Sequence, residues 1–303
     1  MKKRRLGNSD LYVSELGLGC MSIGTEEKTA RKIIEASLEE GINYFDTADL
    51  YDLGENEKIV GNALKKVREN VIIATKVGNR WNQDKQGWSW NPSKSYIKEE
   101  VKQSLKRLGT DYIDLYQLHG GTIDDPIEET IEAFEELKAE GYIRYYGISS
   151  IRPNVIREYV KKSSIVSVMM QYSILDRRPE EEALSLLQEY GVSVVTRGPL
   201  AKGLLSDKML EKVSDKGYQD YRFNELNEVL PLLKEKVAHS RSFAEVALQY
   251  NLAQPAVASV VAGASSPEQV RNNAKAVRSR PLSEEEVSII KELTKASIYN
   301  DHR

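Results

Sequence analysis

The stretch IDLYQLHGGTIDDPIEETIEAFEELKAEGYIRYYGI, residues 113 to 148, reads as one strand, one loop, one helix and the next strand. Ile113–Leu118 is a short apolar run that stops at His119. Asp125, Pro126 and Glu128 then supply an N-cap, a first-turn proline and a glutamate three residues after the cap, and Ile131, Phe134 and Leu137 keep helical spacing. Working outward, the same alternation recurs along the chain. It gives strands at Leu16–Gly19, Ile42–Asp46, Val71–Thr75, Ile143–Ile148, Ile165–Met170, Val192–Thr196 and Val257–Val261 besides the one quoted. Eight strands spread over about 240 residues leave roughly 34 per step, close to one βα unit. No low-complexity stretch, repeat or Pro/Gly/Ser linker interrupts residues 1–303. The pattern therefore predicts an α/β fold, a single-domain (β/α)8 TIM barrel. Arg4–Leu6 and Leu11–Val13, flanking Gly7-Asn8-Ser9-Asp10, predict a short N-terminal β-hairpin before it.

At or just past the end of nearly every strand stands a residue unlike the run before it: Cys20, Asp46, Lys76, His119, Ser149, Gln171, Arg197 and Gly263. Singly, each reads as a solvated loop residue. In a barrel all these ends share one face, which is where active sites form. Strands two to four are neighbours about 5 Å apart, so Asp46, Lys76 and His119 come side by side with Tyr51 on the loop above. A phenol titrates near 10, and lowering it to about 7 requires roughly 4 kcal/mol of phenolate stabilisation. An ammonium about 4 Å away at an effective dielectric near 20 supplies about that much, which is a role for Lys76. Asp46 would keep the lysine charged and oriented against desolvation, and His119 would donate a hydrogen bond to a substrate oxygen. The alternative is a purely structural Asp–Lys pair beside a packed tyrosine. His239 and His302 read as surface residues.

Composition excludes several classes. Of 303 residues, 43 are Lys or Arg and 46 Asp or Glu, a net charge of −3 that steers the chain toward neither nucleic acid nor an anionic membrane. One cysteine forms no internal disulfide. No secretory signal or membrane-spanning run is visible, so a cytoplasmic protein is expected, without a metal site.

Phe45-Asp46-Thr47-Ala48-Asp49-Leu50-Tyr51-Asp52-Leu53-Gly54-Glu55-Asn56-Glu57 resembles the signature of the aldo-keto reductases. Ile72-Ile73-Ala74-Thr75-Lys76 is similar to that family's lysine strand, Tyr112–His119 to its histidine strand, and Val261–Val270 to its adenosine-phosphate site. The resemblance runs from Leu6 to about Ala276 and points to the bacterial, compact-loop branch. It implies hydride transfer from NADPH to an aldehyde or ketone, with Tyr51 as general acid, Lys76 and Asp46 tuning it and His119 placing the oxygen. It also implies cofactor contacts position by position. Gly19, Cys20 and Met21 would meet the cofactor after the first strand, and Ser149, Ser150 and Gln171 would bind the nicotinamide carboxamide. Gly198, Leu200, Lys202 and Gly203 would line the pyrophosphate. Gly263, Ser265, Ser266, Gln269, Asn272 and Asn273 would surround the adenosine ribose and its phosphate, at a helix start that suits an anion on physical grounds as well.

Two positions depart from the family pattern. Arg197 stands where many members carry an aromatic residue against the nicotinamide, leaving stacking, phosphate binding and acidic-substrate binding as roles. Gln269 replaces an arginine facing the 2′-phosphate, so NADH is a second candidate cofactor; Arg271 is another possible phosphate ligand. The loop Gly78–Asn91, with Arg80, Trp81, Trp88 and Trp90, is expected to overhang the active face. Among rival readings, Gly17-Leu18-Gly19 lacks the third glycine of a dinucleotide fingerprint, which is Ser22, and none of the 16 tyrosines has a lysine four residues later. A non-catalytic nicotinamide-binding sensor subunit on the same fold is the alternative from another class. The substrate is expected to be a small carbonyl compound; its identity and the oligomeric state are not written in the sequence.

Overall fold

In the computed structural model, which describes residues 1–82 and 84–303, the apolar runs do become strands. In chain order these are β1 (Lys3–Arg5), β2 (Tyr12–Ser14), β3 (Leu16–Gly19), β4 (Tyr44–Asp46), β5 (Ile72–Val77), β6 (Asn79–Trp81), β7 (Trp88–Trp90), β8 (Ile113–Leu118), β9 (Ile143–Ser149), β10 (Ser167–Gln171), β11 (Ser193–Arg197) and β12 (Val257–Gly263). Strands β3, β4, β5, β8, β9, β10, β11 and β12 close into a parallel barrel, sealed by pairing of β12 with β3. The fold is a (β/α)8 TIM barrel. Every position of β5 and of β8 is buried, as expected of parallel strands covered on both faces.

Alternation along the strands sends side chains to two separate cores. Tyr44, Ile72, Ala74, Leu115, Met169, Val195 and Ala258 fill the barrel interior. Their neighbours Phe45, Ile73, Tyr116 and Val194 face outward into the layer packed by helices. The hairpin β1–β2 plugs the amino-terminal end of the barrel: Leu6, Leu11 and Val13 join the inner core, and Arg4 donates to the Val257 carbonyl at the start of β12. The opposite end, where the strands finish, is left for the site. There β6 and β7 pair as an antiparallel hairpin, so the expected overhanging loop is a small ribbon.

Two local expectations change. The helix after β8 spans Ile127–Ala139 with Pro126 at its N-cap and no side-chain capping bond. Asp125 is drawn away because its carboxylate accepts from Trp90 Nε1 at 3.0 Å and from the Thr122 N–H at 2.6 Å. In addition, strands β4 and β10 begin two residues later than their apolar runs, at Tyr44 and Ser167. Asn43 explains the first: its side chain accepts from Ser14 N and donates to the Tyr12 carbonyl, anchoring the strand start to the hairpin.

Helix Glu55–Leu64 crosses the end of helix Lys94–Leu108 at Gly61, where a Cβ would stand 2.1 Å from the Leu108 carbonyl oxygen. Alanine is about 1 kcal/mol better than glycine inside a helix, whereas forced overpacking costs about 1–3 kcal/mol. Backbone cannot yield as a side chain can, so the clash should win. Gly61→Ala is expected to lower unfolding free energy by about 1–2 kcal/mol in urea titrations; an unchanged or raised midpoint would contradict this contact.

Candidate active site

At the carboxyl end of the barrel, Lys76 is the point of convergence. Its Nζ lies 2.5 Å from Asp46 Oδ1, 2.8 Å from the Thr47 carbonyl and 3.4 Å from Tyr51 Oη. Strand register makes this possible: Asp46 pairs with Ala74 on β5, and Lys76 with Gln117 on β8. Gln117 Nε2 donates to Asp46 Oδ2 at 3.3 Å. The lysine and aspartate side chains are only 1% and 5% exposed. Burial raises the Asp46 carboxyl above its usual range although Lys76 opposes it. Burial also pulls on the Lys76 ammonium, but Asp46 and then Tyr51 outweigh it, and the net displacement is upward. The pair is therefore ionised and inseparable from its own salt bridge.

Tyr51 opens a tight turn in which Asp52, Leu53 and Gly54 all take left-handed backbone angles, with φ of 50°, 58° and 84°. For Asp52 and Leu53 such angles cost about 1 kcal/mol or more each. Trp81 Nε1 holds the turn by donating to the Leu50 carbonyl. The following polar residues are fixed in the interior: Asn56 accepts from Thr47 Oγ1 and donates to the Cys20 carbonyl, and Glu57 accepts from Thr75 Oγ1 and from Arg107.

His119 stands across from Tyr51, with ring centroids 6.0 Å apart and planes at 84°. Burial, then Lys76, then Arg197 lower its pKa to about 3, so the imidazole is neutral at physiological pH. Together Tyr51, Lys76, His119, Ser149, Ser150, Met21 and Trp88 help to line a cavity of about 440 Å³.

Two further cavities continue around the face. One of about 280 Å³ is bounded by Gly19, Met21, Gln171, Arg197, Gly198, Lys202 and Gly263. The other, about 760 Å³, is bounded by Leu200, Gly203, Gln269, Asn272 and Asn273. The segment 198–203 contributes to both, Gly198 and Lys202 to the smaller and Leu200 and Gly203 to the larger, whereas Ser149 and Ser150 line the cavity of about 440 Å³ and Ser265 and Ser266 line none of the three. A Cβ on Gly263 would meet Ser22 Oγ at 2.2 Å, which keeps that part of the groove bare backbone. Cys20 differs from the other positions: its side chain is wholly buried and its thiol faces the Leu18 carbonyl, so it presents no sulfur to the groove. Ser266 caps helix Pro267–Arg278, while Gln269 Oε1 accepts from Ser265 N and Oγ. Arg271 pairs with Glu39, outside the groove. Arg197 donates to Gln171 Oε1 at 2.9 Å and borders both the first and second cavities. His239 and His302 are exposed, His239 in the turn after helix Phe223–Val237.

Sequence reasoning missed Lys208, Lys212, Arg241 and Lys275, which line the largest cavity. Nothing in their local pattern distinguishes them from surface cations. Arg152, in the wall of the first cavity, was also missed, although an arginine immediately before Pro153 at a helix start is an unusual cap.

A barrel with a Tyr–Lys–Asp–His cluster at its carboxyl face and a groove suited to a dinucleotide defines an oxidoreductase. Residues 15–295 match the model of the aldo/keto reductase family. The chain is 61% identical to the oxidoreductase YqkF of Bacillus subtilis over the full length of both. It is 34% identical to the NADH-specific methylglyoxal reductase of Escherichia coli, covering 98% of this chain and 99% of that one. Among solved structures, the holo form of an aldo-keto reductase from Bacillus halodurans superposes with a TM-score of 0.95 at 64% identity, over 100% of this chain and 99% of that one. The chain belongs to the aldo/keto reductase family. It is an enzyme, an oxidoreductase of a family that uses nicotinamide cofactors and small-molecule substrates, rather than a non-catalytic subunit. No helix among the described residues is long and apolar enough to cross a membrane.

The depressed His119 pKa makes a stability prediction. The native imidazole resists protonation until pH about 3, while the unfolded one takes a proton near 6.5. Above pH 6.5 neither state binds the proton and the group is silent; as pH falls below that, the unfolded state gains. His119 should thus cost about 2–3 kcal/mol of stability between pH 6.5 and pH 4.5. Denaturation of His119→Gln and wild type at both pH values should show a shallower loss in the variant; parallel losses would refute it.

Proposed function

We propose that the chain reduces aldehyde or ketone carbonyls by hydride transfer from NADPH, with Tyr51 as general acid and the whole chain acting as one catalytic domain. The observation that carries this reading is Lys76 Nζ held between Asp46 Oδ1 at 2.5 Å and Tyr51 Oη at 3.4 Å, at the floor of a cavity that also bears His119. When bound, NADPH supplies the hydride, leaving the protein to place the carbonyl and deliver a proton. Gly19 and Met21 would meet the cofactor after β3, and Ser149, Ser150 and Gln171 would bind the nicotinamide carboxamide, with Arg197 beside them. Gly198, Leu200, Lys202 and Gly203 would line the pyrophosphate. Gly263, Ser265, Ser266, Gln269, Asn272 and Asn273 would surround the adenosine ribose and its phosphate. Cys20 would contribute backbone alone.

Tyr51 Oη donates to the substrate oxygen, and Lys76 stabilises negative charge as it develops on the phenol. Asp46 keeps Lys76 charged and aimed. His119, neutral, offers a hydrogen bond to the same oxygen without adding a second positive charge beside Lys76. Arg197, tied to Gln171 beside the nicotinamide end, orients cofactor.

Tyr51→Phe deletes one oxygen and no packing volume. It should leave cofactor binding intact and lower kcat for small aldehydes by roughly 10²- to 10⁴-fold. Steady-state NADPH oxidation with a panel of aldehydes, alongside cofactor titration by fluorescence, checks both halves. A near wild-type rate would remove Tyr51 from the mechanism.

NADPH is favoured over NADH by charge. Lys208, Lys212, Arg241 and Lys275 surround the outer cavity, against Asp207 and Glu245. Asp207 is paired with Lys234, and Glu245 closes a capping box with Ser242, so their charges are already engaged. A 2′-phosphate near −2 gains from such surroundings and a hydroxyl does not. The Michaelis constant should be about tenfold lower for NADPH than for NADH, with the gap narrowing as salt rises. Gln269→Arg should widen it. Equal constants that ignore both salt and the substitution would overturn the phosphate assignment.

A further inference from the structure

Arg152 stands where an arginine is unfavourable. It is the N-cap of helix Pro153–Lys162 and makes no side-chain capping bond, although Ser, Thr, Asp or Asn would stabilise the helix there. Its positive charge also opposes the positive end of the helix dipole. The side chain turns into the wall of the first cavity, where Nη1 donates to the Gly121 carbonyl. Gly121 follows His119 by two residues, so the guanidinium is anchored within about 7 Å of chain from the group that faces the substrate oxygen.

The charges around this cavity leave Arg152 free. Among the described residues, its charged lining is Lys76, Arg152 and Arg197, with no carboxylate. Lys76 is neutralised by Asp46, and Arg197 is committed to Gln171 beside the nicotinamide end. Asp125, near Gly121, is engaged by Trp90 and the Thr122 N–H. A guanidinium has five N–H donors, and Arg152 spends one on Gly121, leaving an open fork of the geometry that holds a carboxylate. Apolar Met21, Leu50, Trp88 and Ile151 line the same cavity as the fork and Tyr51.

We propose that Arg152 is a specificity-determining residue that binds the anionic end of the substrate, so that the preferred substrates are aldehydes with a carboxylate at the far end of a short chain. One free guanidinium matches one negative charge, which favours a carboxylate over a dianionic phosphate. The inference rests on the reductase reading above.

The test compares succinic semialdehyde with butanal, which has the same chain length and no charge, using enzyme saturated with NADPH. The ratio of kcat/KM for the acid to that for the neutral aldehyde should be about tenfold or more in the wild type, mainly through KM. Arg152→Gln should bring the ratio close to one, and Arg152→Lys should restore part of it as a point charge without the fork. Added salt should depress the wild-type ratio. A wild-type ratio near one, or one that Arg152→Gln leaves unchanged, would overturn the proposal while turnover itself upheld the reductase. Succinate titration of the NADP⁺-loaded protein, followed by tryptophan fluorescence because Trp88 lines the cavity, judges the anion site separately. Saturable quenching that disappears in Arg152→Gln supports the site even if neither aldehyde were reduced, an outcome that would count against the reductase reading alone. No quenching in either form overturns it.

Discussion

The structure of the site depends on one ion pair that water does not reach. Lys76 and Asp46 lie at the carboxyl ends of neighbouring strands with almost no exposure, and neither charge is tolerable there without the other. Moving a lone carboxylate or ammonium into such surroundings costs several kcal/mol, and removing one partner typically costs about 3–5 kcal/mol. The barrel accepts this because strand register delivers the two groups at 2.5 Å and lets Thr47 and Gln117 satisfy their remaining hydrogen-bonding capacity. A fixed positive charge is thereby held close to Tyr51 with no reorganisation needed when the phenol oxygen becomes more negative. The same charge, with burial, keeps His119 neutral. One buried pair therefore sets the electrostatics of both neighbours.

That geometry needs a stiff frame, and polar residues behind the site provide it. Glu57, fully buried, ties helix Glu55–Leu64 to β5 through Thr75 and to helix Lys94–Leu108 through Arg107, which also holds Glu100. At the other end of the barrel, buried Asp114 accepts from Ile73 N and pairs with Arg68 and Arg144. Asp49 is different: its carboxylate is buried without any hydrogen bond, and burial with the nearby Glu57 and Glu100 raises its pKa well above the usual range. Its backbone N–H meets the Lys76 carbonyl, so the residue still helps to seat the turn that presents Tyr51.

Much of this was legible in the sequence because it depends on period and order. Eight apolar runs at βα spacing define the barrel, and the residues ending them define its active face. Asp46, Lys76 and His119 need only strand adjacency to be brought together, and the structure does bring them together. What depends on side-chain direction was not legible. Asp125 reads as a cap but is captured by Trp90, a partner 35 residues away in sequence. Cys20 reads as a strand-end residue like the others, yet its side chain is buried in the layer between barrel and helices because the two faces of a short apolar run look alike in sequence. Lys208, Lys212 and Arg241 become neighbours only through the path of the long segment after β11, which no local pattern encodes.

The groove is also built with different materials along its length. Beside Asp46 and Tyr51 the wall includes glycine backbone at Gly19, Gly198 and Gly263, and at Gly263 a Cβ would meet Ser22 Oγ at 2.2 Å. Farther out, Ala201 and Lys202 take left-handed angles of φ 46° and 57°, a cost of about 1 kcal/mol or more each that ordinary packing would avoid. The strain occurs where the chain must turn its backbone along the groove and place Lys202 in the wall. Beyond it the lining becomes cationic. Bare backbone therefore walls the groove beside Asp46 and Tyr51, and cations wall its distant end. In the function proposed above, a reactive ring would lie against the first and a charged tail against the second, leaving the opposite wall, at Arg152, to face the substrate.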